Sequence, residues 1–310
     1  GEQQPRRYVG ADLTEDERFL IVQASTSTSG NELYVQDLAK PGSALRTVVG
    51  DFDNDHSVID HDGKNLIIFT NLNAPNYRVV LAPLTDPSPA NWKDLIPESS
   101  NVIQSVSAVG KNLFVEYLKD ARSVVLQFDY AGKLIRDIEL PGIGSVSGFN
   151  GKADETETYY TFTSFTYPPT VFRFDIASGK SEVYAKPKVD FNPEDYETKQ
   201  VFYQSKDGTK VPMFIVHKKG LKPDGTNPTL LYAYGGFNVS LTPNFNTSRV
   251  VWLENGGVFA QPNLRGGGEY GEEWHLAGTK MQKQNVFDDF IAAAEYLINE
   301  GYTTSGKLAI

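Results

Sequence analysis

The residues best placed to do chemistry lie near the C-terminal end, where the chain reads NLRGGGEYGEEWH, Asn263 to His275. Within it GGGEYG, Gly266 to Gly271, fits the spacing G-x-G-x-x-G. In a dinucleotide site that spacing serves a phosphate. The glycines let the backbone approach the pyrophosphate, and the N–H groups of a following helix face its charge. The neighbouring residues oppose that use. Glu269 lies inside the string, and Glu272 and Glu273 follow it, so carboxylates crowd the place an anion would take. The helical pattern downstream starts only at about Asn285, so the strand–turn–helix context is missing. The spacing reads instead as a sharp loop after a buried strand, where glycine supplies positive φ and close backbone approach.

The remaining reactive side chains form no recognisable centre. The histidines are His56, His61, His217 and His275, with no H-E-x-x-H and no pair at metal-ligand spacing, so no metal site is expected. His56 and His61 fall in DFDNDHSVIDHDG, which reads as an acidic, solvated loop. His217 lies in a strand pattern, and His275 is placed to cap a local turn. The chain has no cysteine, which excludes disulfides, thiolate metal sites and cysteine nucleophiles and is compatible with a reducing compartment. A serine nucleophile on an elbow would need G-x-S-x-G, and no such pentapeptide occurs; GKSEV at Gly179 lacks the second glycine. These residues therefore hold no complete catalytic apparatus. Asn238-Val-Ser240 and Asn246-Thr-Ser248 match the glycosylation pattern but mean little without a secretory context.

The elements that must position any site follow two grammars. In the first, ERFLIVQAS begins a strand at Phe19, KNLIIFTN at Leu66, KNLFVEYL at Leu113 and ETYYTFTS at Tyr159, at intervals of 47, 47 and 46 residues. A second strand follows each: ELYVQDL, YRVVLAPL, SVVLQFD and TVFRFDI. Period-2 strands in units of about 45 residues are the pattern of four-stranded propeller blades, with a plain β-sandwich as the alternative. Four units span about residues 8–187.

After KPKVDFNPEDYE the pattern changes. KQVFYQSKDGTKVPMFIVHKKG reads as a hairpin turning at Asp207-Gly208. PTLLYAYGG and GGVFAQPNL read as buried strands. QNVFDDFIAAAEYLINEG reads as a helix with Val286, Phe287, Phe290, Ile291, Ala294, Leu297 and Ile298 on one face. Asn285 is its expected cap, with Asp288 and Asp289 in the first turn and Gly301 as the stop. KLAI opens another buried strand, and strand, helix, strand implies a parallel sheet covered by helices. The unfinished sheet implies one piece of a larger polypeptide, or of a cut one.

The whole has 310 residues and a formal net charge of −10. That length fits two domains, divided here as 1–188 and 189–310. The acidic balance argues against a general nucleic-acid binder and against docking on anionic membranes. No stretch approaches the roughly 20 apolar residues of a membrane span, and GEQQPRRYVGADL has no apolar signal core. The expected location is the cytoplasm, with the periplasm as the alternative.

SKDGTKVPMFIVHKKG (205–220), YGGFNVSLTPNF (234–245), NLRGGGEYGEEWH (263–275) and FDDFIAAAEYLINEGYT (287–303) closely resemble the prolyl oligopeptidase family of serine peptidases. TNLNAPNYR (70–78), FTSF (162–165) and the strand period resemble it more loosely. The resemblance implies a β-propeller, here the last four blades of seven, followed by the first part of an α/β-hydrolase domain that the propeller caps. It implies that RGGGEYG is a structural loop, and that an elbow N-G-x-S-N-G-G places the nucleophilic serine four residues after Ile310, with the Asp and His of the triad later still. Residue by residue, Tyr234 matches the tyrosine whose hydroxyl helps form the oxyanion hole. Phe237 matches an apolar wall of the pocket for the proline ring. Ala24 and Ser27 match positions where the family has an arginine and a cysteine, so no propeller contact is carried over.

The resemblance thus implies a serine endopeptidase that cuts short peptides after proline. It implies no cofactor, nucleic acid or membrane partner, a monomer when intact, and a partner in the remainder of the polypeptide or a companion chain. The alternatives are an oligopeptidase that cuts after basic residues and a non-catalytic propeller that binds peptides.

Overall fold

The computed structural model describes residue 4 and residues 6–310. The first grammar folds into four sheets of four strands, each built from consecutive segments. Strands β1 (Tyr8–Leu13), β2 (Phe19–Ser25), β3 (Glu32–Asp37) and β4 (Arg46–Val49) form the first. Strands β5 (His56–His61), β6 (Asn65–Thr70), β7 (Arg78–Pro83) and β8 (Lys93–Ile96) form the second. The third holds β9 (Val102–Val109), β10 (Asn112–Lys119), β11 (Arg122–Asp129) and β12 (Leu134–Asp137). The fourth holds β13 (Ser145–Asn150), β14 (Glu157–Thr163), β15 (Thr170–Asp175) and β16 (Ser181–Ala185).

Each strand begun at Phe19, Leu66, Leu113 or Tyr159 is the second of its sheet, so the repeat read from the sequence is the blade. Phe19, Ile21, Leu66 and Ile68 are buried in one apolar cluster with Leu33, Val35 and Val80 from the neighbouring strands. In all four sheets the outermost strand pairs across a register shift, at Leu33/Tyr34, Val79/Val80, Gln127/Phe128 and Val171/Phe172. Such a bulge increases local twist and bends the outer edge.

The second grammar builds one mixed sheet of five strands: β17 (Tyr196–Gln204), β18 (Lys210–Lys218), β20 (Val258–Pro262), β19 (Thr229–Leu231) and β21 (Leu308–Ala309), in that order. The hairpin β17–β18 turns at Asp207-Gly208 as expected and runs antiparallel to β20. Strand β19 lies parallel to both β20 and β21. Three helices accompany the sheet: α1 (Thr247–Glu254), α2 (Glu272–Leu276) and α3 (Gln284–Asn299). Met213, Ile215, Leu231, Val258 and Ala260 pack against Ala293 and Leu297 of α3. Phe214, Val216 and Phe259 pack with Phe165 and Leu253.

By compactness the chain divides into two units. One comprises residues 1–116, 125–137 and 149–158, the other residues 117–124, 138–148 and 159–310. Most of the fourth sheet therefore falls in the unit that holds the mixed sheet.

Several expectations need correction. DFDNDHSVIDHDG is not a solvated loop, since His56 to His61 is strand β5. His56 is buried, with Nδ1 at 2.9 Å from Thr70 Oγ1, and His61 Nε2 lies 2.9 Å from Asp16 Oδ2. A helix, α2, begins directly after the glycine string rather than at Asn285. Asn285 caps nothing; its amide donates to Ala277 O from inside α3. Asp289 is fully buried and lies beyond the first turn of α3. Asn246, read as part of a glycosylation-like triplet, caps α1 by accepting from the N–H groups of Ser248 and Arg249.

Candidate active site

Tyr234 and Phe237 stand on the loop that leaves β19. Both are open to solvent, 49% and 85% exposed, and their rings stack with centroids 6.4 Å apart. The loop is not loose. Phe237 and Asn238 hold φ of 53° and 58°, the left-handed region that costs energy for residues with a Cβ.

What holds the loop is the glycine string. Asn238 N–H donates to Gly266 O at 3.1 Å. His275, in the last turn of α2, has Nδ1 at 2.8 Å from the same oxygen. The Nδ1–H tautomer suits this arrangement, with both groups donating to one carbonyl. Gly266 has φ of 90°, and a Cβ there would sit 2.8 Å from Gly235 O. A Cβ on Gly268 would lie 2.7 Å from Asn238 O. The glycines thus permit two loops to touch backbone to backbone, the structural use expected of them. Lys283 closes the near end, its ammonium donating to Gly235 O at 2.7 Å.

Beneath the string lies an ion network. The Arg265 guanidinium donates through Nη2 to Asp289 Oδ1 at 2.6 Å and through Nε to Asp289 Oδ2 at 3.0 Å. It also reaches Asp207 in the turn between β17 and β18. The Arg265 backbone N–H donates to Asp289 Oδ2 at 3.1 Å. The hydrogen bond from Arg265 holds the Asp207 carboxyl down at a pKa of about 2. Burial works against the Arg265 charge, but the two carboxylates outweigh it and its pKa is raised.

Glu269 is buried at 2% exposure. Its Oε1 accepts from Leu241 N–H at 2.9 Å and from Asn263 Nδ2 at 3.1 Å. Asn263 Nδ2 also donates to Leu241 O at 2.7 Å, so the pair takes both backbone groups of Leu241. Burial raises the Glu269 pKa, and these hydrogen bonds oppose the rise. This buried carboxylate, rather than the new helix, is what removes the phosphate reading.

The two residues marked in the sequence, Tyr234 and Phe237, are thus brought side by side. The supporting groups Arg265, Asp289, Glu269 and Lys283 were not foreseen. The one available signal was a glutamate embedded in glycines beside a buried strand.

Comparison with known proteins agrees with this architecture. The description "Prolyl oligopeptidase, N-terminal beta-propeller domain" matches residues 1–187, and "Prolyl oligopeptidase family" matches residues 243–310. The chain belongs to the prolyl oligopeptidase family, with a propeller portion followed by the start of the hydrolase domain. Prolyl endopeptidases of Elizabethkingia miricola and Elizabethkingia meningoseptica are each 52% identical over 310 residues, covering 100% of this chain and 44% of the relative. A solved structure from a study of inter-domain dynamics in two prolyl endopeptidases has a TM-score of 0.90 at 46% identity, covering 99% of this chain and 45% of that one. Prolyl oligopeptidase B of Galerina marginata, bound to a 35mer hydrolysis and macrocyclization substrate, gives 0.92 at 35% identity, covering 100% and 45%. The chain therefore spans less than half the length of these relatives. Among the described residues no helix is long and apolar enough to cross a membrane.

Proposed function

We propose that the protein to which this chain belongs is a serine endopeptidase that cleaves short peptides on the C-terminal side of proline. The observation that carries the reading is the exposed pair Tyr234 and Phe237, pinned in a strained loop of a family member. Phe237 offers an apolar face to the proline ring, which has no N–H to satisfy. The Tyr234 hydroxyl donates to the oxyanion as the carbonyl becomes tetrahedral, and a neutral donor placed there is worth about 3–4 kcal/mol. The nucleophilic serine and its histidine and aspartate come from residues outside these 310, acting as base and orienting group. Residues 1–188 belong to the propeller and 189–310 to the peptidase domain in this reading. No cofactor is assigned, and the protein works as a monomer.

Cleavage after a basic residue would need a carboxylate in the pocket, whereas the Lys283 ammonium is bound at Gly235 O, next to Tyr234 in the chain. The test is hydrolysis of Gly-Pro and Arg-Arg reporter peptides by the intact protein, beside labelling by a fluorophosphonate. Preference for Gly-Pro with labelling supports the reading. Preference for Arg-Arg refutes the proline assignment, and absence of labelling points to a non-catalytic propeller.

A further inference from the structure

A carboxylate buried without a cation is costly, and a structure keeps one where its geometry matters. Glu269 is such a group. Among the described residues it forms no ion pair, and its Oε2 has no hydrogen-bond partner. Its polar contacts are made through Oε1, to Leu241 N–H and to Asn263. The loop so held carries Phe237 and Asn238 in left-handed backbone. A strained conformation of this kind persists only where the surroundings fix it. Before Phe237 the loop is held by Lys283 at Gly235 O, and directly after it by Asn238 N–H at Gly266 O. Further along, Leu241 is bound at N–H by Glu269 and at its carbonyl by Asn263 and Gln261, so Glu269 is the side chain that takes its N–H.

We infer that Glu269 is a positioning residue for Phe237: by anchoring Leu241 it holds the far end of the aromatic loop and sets the affinity of the pocket for its apolar substrate side chain. The inference rests on the post-proline reading for its kinetic part alone. Glu269 acts as an acceptor, so Glu269→Gln, which keeps the Oε1 oxygen and drops the charge, preserves the function. Glu269→Ala removes the acceptor. Because the oxyanion donor Tyr234 sits at the end pinned by Lys283, the loss falls on binding rather than on the chemical step.

The experiment uses the intact protein, wild type, Glu269→Gln and Glu269→Ala, with two readouts. Hydrogen exchange in a peptide covering residues 234–245 reports the anchor directly. Steady-state hydrolysis of a Gly-Pro reporter separates KM from kcat. Glu269→Ala is expected to speed exchange at the Leu241 amide by about tenfold and to raise KM by about tenfold with kcat within about twofold. Glu269→Gln is expected to match wild type in both. Unchanged exchange in Glu269→Ala overturns the inference, as does a Glu269→Gln variant as impaired as Glu269→Ala, or a fall confined to kcat. A wild-type protein that labels with fluorophosphonate but ignores Gly-Pro peptides refutes the substrate reading instead, and the exchange result still decides the anchor.

Discussion

Replacing Asp289 by asparagine tests the ion network beneath the loop most directly. Asp289 is fully buried and receives three donors from Arg265: the backbone N–H, Nε and Nη2. Arg265 is itself 4% exposed. Removing one partner of a buried pair costs about 3–5 kcal/mol, because the other charge stays buried without compensation. Here Asp207 remains, but its side chain is 46% exposed and screened by water. The expected loss for Asp289→Asn is therefore at the lower end, about 3 kcal/mol, or more than about a hundredfold in the folded-to-unfolded ratio. Urea unfolding followed by tryptophan fluorescence measures it, as a shift in midpoint at constant slope. The double change Arg265→Met with Asp289→Leu removes both charges while keeping bulk, and should recover at least half the loss. A single-variant loss under about 1 kcal/mol, or a double variant less stable than the single, would show that the network is not a compensated buried pair.

Three other outcomes follow from the geometry. Tyr234→Phe should leave folding intact, because the side chain is half exposed, and lower kcat by about 10²–10³ with KM little changed; an unchanged kcat removes the oxyanion role. His56 titrates below the ordinary imidazole value because it is buried, with Asp51 and Asp55 opposing the shift. The unfolded chain therefore takes up the proton first, and native stability falls as pH drops below about 6.5; His56→Gln should flatten the change in urea midpoint between about pH 7 and pH 5, and equal slopes in both proteins would refute the assignment. Asn246→Ala should cost about 1 kcal/mol by removing the acceptor at the start of α1, read as a lower unfolding midpoint; no change would mean the cap is replaced by water.

The blades were legible because a half-buried strand writes its own period, and Phe19, Leu66, Leu113 and Tyr159 recur where that period restarts. Strand β5 was not, because the groups that satisfy its polar side chains come from elsewhere: Thr70 for His56, Asp16 for His61 and Tyr130 for Asp60. Read alone, an acidic stretch with two histidines looks solvated. Helix α1 buries only Val250 and Leu253, too weak a stripe to register, and its cap at Asn246 was the better signal. On α3 the buried positions are Val286, Asp289, Ala293 and Leu297, and the burial of Asp289 is not legible in the sequence because its partner Arg265 lies far back in the chain. At the candidate site the exposed aromatics were readable through family wording. The buried Glu269 was not, because its burial depends on Leu241 and Asn263 converging from two loops.

The two kinds of sheet set an order of assembly. Each blade pairs only neighbours along the chain, so its loops close cheaply and its hairpins can form as the segments leave the ribosome. The mixed sheet cannot be finished that way. Strand β19 at Thr229–Leu231 waits for β20, and then for β21 at Leu308–Ala309, before both its edges are covered. Until then an apolar strand with open backbone groups is exposed, a template for pairing with other chains. Newly made protein should thus be most prone to aggregate between synthesis of residues 231 and 308, and pulse-labelled exchange during refolding would show the blades protected before β19.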